Sequence, residues 1–390
     1  MRLGLRGRLV RLGVLLFLSS GVACIPLVKS GADAAKQAPS NGSPGVEEPP
    51  SSTPTPAPTP ASGTHTVVRS YGHTVSRLSD GKVLIVGGMG ATNFNSSAEI
   101  FDPATGTTTA TGAMNTSRGW HTASVLQDGR VLIVGGQGTS GNPIGTAQIY
   151  DPSSGTFVST GNMITARYDH TATVLTNGKV LIAGGWGNSQ WLSSTELYDP
   201  GSGTFSAVGS MAVRRTQHAA ALLSDGKVLI TGGLNQTNQK VNSAEIFDPS
   251  AGTFSSGGSM IAARAQHSAT LLADGRVLIL NRDGAASAEL CDPGAGGFVP
   301  TGSTSVSRSY FSVELLPNGK VLVIGGVTGS VRLATTEVYD PSIGTFSAGP
   351  VMLSARGYHA SSVQTNGGVF IRGGYSVGAA GGTDWEFLPY

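Results

Sequence analysis

The chain has 390 residues, with 57 Gly, 20 Pro, 2 Cys and 12% charged residues. Its length allows one large or two ordinary domains, and a hydrophobic share of 39% supports a core, which excludes disorder throughout. Glycine without a strict three-residue period excludes collagen, and two cysteines exclude a disulfide scaffold. The net charge of +2 becomes −2 without Arg2, Arg6, Arg8 and Arg11 (21 basic against 23 acidic residues), which leaves no electrostatic footprint for nucleic acid.

Residues 1–23 read as an export signal. A basic stretch precedes the apolar run Val14-Leu15-Leu16-Phe17-Leu18 and small residues up to Ala23. That run is too short to span a bilayer of about 30 Å. Small residues before a cysteine resemble the lipobox of bacterial lipoproteins, although Gly21 stands where that family usually has Leu. The resemblance implies a lipid on Cys24, which would be the only contact with a membrane. Ordinary cleavage with a free Cys24 is the alternative. Residues 24–62 form a Pro/Ser/Thr-rich tether, including Thr53-Pro54-Thr55-Pro56-Ala57-Pro58-Thr59-Pro60, too poor in apolar residues to fold and held extended by proline.

From residue 63 to 390 one pattern recurs. Each unit opens with Arg-X-X-His: Arg118…His121, Arg167…His170, Arg215…His218, Arg264…His267 and Arg356…His359. Arg69…His73 is one residue longer, and Arg308…Phe311 has lost its His. The His or Phe positions are 48, 49, 48, 49, 44 and 48 residues apart, giving seven units. In each, a first strand such as Thr171–Leu175 leads through Asn177-Gly178 into Val180–Ala183 and a Gly-Gly pair. Asp-Gly and Asn-Gly suit a two-residue hairpin turn with positive φ. A variable loop, a third strand such as Thr195–Tyr198, and an Asp-Pro turn into a fourth strand follow. Four strands per unit, seven times over, predict an all-β, seven-bladed propeller. The last unit lacks a fourth strand, and Thr64–Val68 is expected to supply it, closing the ring.

The Gly-Gly pairs (Gly87-Gly88 through Gly373-Gly374) and the Tyr/Phe-Asp-Pro-X-X-Gly-Thr-Phe ends resemble kelch blades. The resemblance covers residues 63–390. It implies a fold and leaves activity open, because enzymes, adaptors and scaffolds share it. The galactose-oxidase-like enzymes also use kelch propellers, and Tyr358-His359 looks like their copper-ligating pair. Cys291, however, stands where sibling units have Tyr198, Phe247 or Tyr339 and reads as a core residue. No cofactor is implied.

Strand direction places the Arg openings and variable loops on one rim and the Asp-Gly and Asp-Pro turns on the opposite face. The loop-rich rim is the expected ligand face. Trp186 and Trp191, with Asn188 and Gln190 between them, suit a sugar or a polar peptide, and Tyr168 and Tyr358 lie in openings on the same rim. Glu99, Glu196, Glu245, Glu289 and Glu337 begin third strands near the Arg set and are expected to pair with it. The second unit has Gln148 there and the seventh offers no clear acid, so Arg118 and Arg356 are expected to face a ligand. The repeated histidines are expected to anchor neighbouring blades. In the fifth unit Leu280-Asn281 stands in place of Gly-Gly and the loop shortens, which predicts a notch in the rim.

The reading is a surface-anchored recognition scaffold for a glycan or protein on the exterior of a bacterial cell, or secreted if Cys24 is not lipidated. A polysaccharide lyase or hydrolase is the second reading. Among residues outside the repeat positions no pair of carboxylates stands out for a hydrolase.

Overall fold

The computed structural model describes residues 61–64, 67–280, 286–376 and 384–389. Cys24, the export signal and nearly all of the tether lie outside them. Seven four-stranded antiparallel sheets are the seven blades, six of them traced inner to outer in chain order. Their inner strands are His73–Arg77, Thr122–Val125, Thr171–Val174, Ala219–Leu222, Ser268–Leu271, Ser312–Leu315 and Ala360–Val363, for blades 1 to 7.

The second strands carry the core. Val180–Ala183 is buried throughout, as are its counterparts, because each has a sheet against both faces. That explains why these runs are apolar without alternation. Seven apolar clusters follow, one for each pair of adjacent blades. Fully burying each Val, Leu or Ile contributes about 1.5–3 kcal/mol. The interface between blades 7 and 1 differs in being aromatic. Phe101 stacks on Phe370 at 4.2 Å, and Trp385 lies 4.7 Å from Phe101.

Ring closure follows the expectation with a corrected strand. Ala61–Thr64, not Thr64–Val68, is the outer strand of blade 7, running Ala61↔Phe387 to Thr64↔Asp384. Its partner, Asp384–Leu388, pairs in turn with Val369–Arg372. Arg372 Nη2 donates to the Val67 carbonyl at 2.8 Å, and Asn95 Nδ2 to the Val68 carbonyl at 3.2 Å.

The Asp-Gly turns also need a correction. Leu78 N donates to the Lys82 carbonyl at 2.8 Å and Gly81 N to the Leu78 carbonyl at 3.0 Å, so the turn is longer than two residues. Only glycine is left-handed there (Gly81 φ 84°), while Asp80 Oδ1 accepts from Lys82 N at 3.0 Å. In blade 5, Leu280 is the last strand residue and packs in one cluster with Phe311. Asn281 and the shortened loop lie outside the described residues, and with them the notch.

Candidate functional site

The rim is built on the Arg openings, and the arginines themselves point inward. Arg167 Nη2 donates to Glu196 Oε1 at 2.7 Å, and its Nη1 to the Gly184 and Ser194 carbonyls at 2.8 and 2.9 Å. Glu196 also accepts from the Ile164 and Thr165 amides at 2.7 and 3.1 Å. One carboxylate thus ties a cation to the segment that enters its own blade from the preceding one. Glu245 repeats this with Arg215 at 2.7 Å, and Glu337 with Arg308 at 2.5 Å. Glu99 takes two cations, Arg69 at 3.3 Å and Arg372 at 3.4 Å, across the closing interface.

Two site expectations fail here. Arg356 has an acid after all, since its Nη2 lies 3.4 Å from Glu386 Oε2. Glu386 follows Arg356 by 30 residues, the spacing of Arg69–Glu99 and Arg215–Glu245, so it holds the regular place. Arg118 has none, yet it is 0% exposed and donates to the Gly135 and Thr146 carbonyls at 2.9 and 3.0 Å and to Thr146 Oγ1 at 2.9 Å. Burial lowers its pKa to about 10. Both side chains are enclosed by the loops above them, so neither faces a ligand.

The histidines bind between blades. His121, His170, His218 and His359 each meet a Thr or Ser hydroxyl of the preceding blade through Nε2, at 2.9 to 3.0 Å. His73 reaches the Arg372 carbonyl of blade 7 at 3.2 Å, and His267 reaches Thr231 at 2.7 Å. Burial holds His73, His121, His170 and His218 neutral, with His73 and His170 lowered to about 3. Gly184, at φ +60°, shows why the Gly-Gly motif accompanies them: a Cβ there would lie 2.7 Å from His218 Cε1.

The residue before each His or Phe adopts a left-handed backbone: Gly72, Trp120, Asp169, Gln217, Gln266, Tyr310 and Tyr358, with φ from 51° to 68°. Such backbone is costly for a bulky side chain and persists only where its surroundings over-determine it. Here amide links between neighbouring blades do so. Trp120 N donates to the Gly72 carbonyl at 2.9 Å, Gln266 N to Gln217 at 2.8 Å, and Tyr358 N to Tyr310 at 2.9 Å.

This ring delivers an arc of aromatic side chains over five blades. Tyr310 stacks on Tyr358 at 3.9 Å, and Tyr358 meets Tyr375 at 5.9 Å. Tyr375 lies 6.0 Å from Tyr71, Tyr71 stacks 5.6 Å from Trp120, and Trp120 lies 6.5 Å from Tyr168. All but Tyr71 are half-buried, with one part of each ring toward solvent. Burial raises the Tyr168 hydroxyl to about 12 and raises that of Tyr358 as well. Tyr168 and Trp186 exchange backbone bonds at 3.0 and 2.8 Å. This seats the hairpin Trp186-Gly187/Gln190-Trp191, turned by left-handed Asn188 and Ser189, beside the arc. Its tryptophans meet edge to face at 4.7 Å and 90°. Thus Tyr168, Tyr358, Trp186 and Trp191 share one rim. Sequence reasoning missed Tyr71, Trp120, Tyr310 and Tyr375, although the place before the His or Phe was a usable signal for two of them.

A kelch-repeat domain model, described as the KLHDC2/KLHL20/DRC7 Kelch-repeats domain, matches residues 72–280, more than half of the chain, and a kelch motif matches residues 308–352. The chain belongs to the kelch-repeat family. Its propeller resembles a novel fungal alcohol oxidase of the AA5 family in complex with copper (TM-score 0.67, 15% identity, covering 84% of this chain and 75% of that one). It also resembles YjhT (TM-score 0.57, 15% identity, 74% and 99%). No curated protein matches. These likenesses concern fold alone.

The kelch propeller's own residues do not fit a copper centre at Tyr358-His359. His359 is fully enclosed with Nε2 held by Ser312 Oγ, and Cys291 packs in the core between blades 4 and 5, its thiol raised by burial to about 11. Among the described residues no three of His, Cys, Asp and Glu gather to hold a metal.

One acid stands apart in the kelch propeller. Glu314 lies on the inner strand of blade 6, where sibling strands have Ser76, Ser124, Thr173, Ala221, Thr270 and Ser362. Ser361 Oγ donates to it at 2.6 Å, and burial raises its carboxyl to about 7 despite that bond. A raised carboxyl pKa makes the folded chain hold the proton. Its contribution is present in full below the unfolded value near 4.3 and is lost as pH rises to about 7. The neutral histidines act oppositely, losing stability below their unfolded pKa of about 6.5, so the test is a difference. Glu314→Gln is expected to exceed the parent by about 2–3 kcal/mol at pH 8 and by almost nothing near pH 4. Urea midpoints at both pH values check this; an equal difference at the two refutes it.

Proposed function

We propose that the protein is an exported, lipid-anchored recognition module whose loop-rich rim binds an extended ligand, a glycan ahead of a protein. The aromatic arc from Tyr310 to Tyr168 carries this reading. Ring faces stack on sugar rings, and the half-buried Gln266 continues the circle with an amide. Backbone bridges pre-form the loops: Met89↔Phe94, Gln137↔Pro143, Leu234↔Lys240 and Ser309↔Val327 each pin one. A ligand therefore meets an ordered surface and avoids much of the ordering cost.

The anchor reading rests on the small residues before Cys24 and on the proline-rich stretch after it. Ala61 pairs near the turn face and Thr64 near the rim, so the chain enters the propeller from the side opposite the arc. A lipid on Cys24 then turns the arc away from the membrane.

A glycan and peptide array with the whole protein tests this, followed by assay of any bound sugar for new reducing or unsaturated ends. Binding without new ends is expected. Turnover would replace the recognition reading with a carbohydrate-active enzyme, and no binding would remove both. Fatty-acid labelling should be lost in Cys24→Ala; equal labelling refutes the anchor.

A further inference from the structure

The two faces of the propeller handle charge differently. On the turn face, bases and acids neutralise one another: Lys82–Asp102 at 3.4 Å, Lys179–Asp199 at 3.0 Å, Lys320–Asp340 at 2.9 Å, Arg130–Asp128 at 2.7 Å and Arg276–Asp274 at 2.6 Å. On the rim the repeated arginines and their glutamates are buried. What the described rim side chains then present to solvent is positive. Arg214 is exposed, Arg332 is half-exposed, and the rim carboxylate Asp169 is 5% exposed.

One cation stands at an end of the aromatic surface and another beside its middle. Arg214 Nη1 donates to Gln190 Oε1 at 2.5 Å, which holds its charge against the Trp186–Trp191 hairpin. The Arg332 guanidinium lies 5.8 Å from the ring centroid of Tyr375, which sits between Tyr358 and Tyr71 in the arc.

We propose that the ligand of this rim is an acidic glycan, a polysaccharide bearing uronic acid or sulfate groups, laid along the arc with its charges toward Arg332 beside Tyr375 and toward Arg214 at the Trp186–Trp191 hairpin. The proposal rests on the rim reading above and narrows it. Sugar rings cover the aromatic faces and supply most of the buried area. Solvent-exposed ion pairs at a rim are individually weak and are screened by salt, so their part is to choose the partner and speed encounter. A glycan suits this surface better than an acidic peptide because the rings pack on one another and offer successive faces, not a socket for one anchoring side chain.

The test is titration of the intact protein, followed by tryptophan fluorescence. The probes are polygalacturonate, alginate, hyaluronan and chondroitin sulfate, with fully methyl-esterified polygalacturonate and dextran as neutral counterparts and polyglutamate as the acidic peptide. Acidic glycans are expected to bind, more weakly as salt rises. The double variant Arg214→Gln/Arg332→Gln, unchanged in its unfolding midpoint, should lose roughly three- to thirtyfold in affinity for them. Equal binding of the neutral counterparts would overturn the proposal and leave the rim reading intact. Tighter binding of polyglutamate would overturn it in favour of a protein partner. Binding of no probe, with none on the glycan and peptide array, would overturn both.

Discussion

Glu196→Ala is expected to destabilise the propeller by about 3–5 kcal/mol, because it strands a cation inside. Arg167 is 0% exposed and Glu196 is its carboxylate at 2.7 Å. The same substitution frees the part-buried Ile164 and Thr165 amides, each of which costs up to about 1–3 kcal/mol if nothing, water included, replaces its partner. Blade 2 supplies the control. There Gln148 holds the equivalent place, accepting from Asn115 N at 3.1 Å, while its Nε2 is buried with no partner. Gln148→Glu should therefore stabilise the chain by about 1–3 kcal/mol, giving Arg118 the acid that its siblings have. Urea unfolding of both variants reads the two signs. A stable Glu196→Ala, or a Gln148→Glu that loses stability, contradicts the inter-blade role assigned to these pairs.

Trp385→Ala should cost about 3–5 kcal/mol as well, and the damage should be local at first. Trp385 pairs with Gly63 of the closing strand and packs on Phe101 and Phe370, so it belongs to both ends of the chain at once. Amides of Asp384–Leu388 and Ala61–Thr64 should exchange faster in the variant, while Val180–Ala183 and Val228–Thr231 stay protected. Uniform loss of protection across all blades contradicts a seam that opens first.

The fold was legible because the repeat writes it out. Asp-Gly turns, Gly-Gly pairs and apolar second strands each report a local constraint, and seven copies make the period unmistakable. Closure was legible as a missing fourth strand, but its register was not, because Ala61–Thr64 and Thr64–Val68 are equally plain as edge strands. The pairing of Arg with Glu could be read where the spacing was regular. It failed at Glu386, which stands at the regular spacing but in a strand, Asp384–Leu388, without the Tyr/Phe-Asp-Pro end that marks its siblings. The inference that an arginine without an acid must face a ligand failed at Arg118, because backbone carbonyls satisfy a guanidinium as well. Tyr168, Tyr358, Trp186 and Trp191 were found from strand direction alone. The arc joining them was not, because rings from the openings of blades 6, 7, 1, 2 and 3 meet only after the ring has closed.

Hydroxyl-radical footprinting of the complex with the tightest ligand found on the array tests the central claim most directly. Oxidation of Tyr71, Trp120, Tyr168, Tyr310, Tyr358 and Tyr375 should fall on binding, with the turn face around Asn177, Gly178 and Lys179 unchanged. Protection of the turn face with the aromatic residues still fully reactive would place recognition on the wrong side of the propeller and contradict the account.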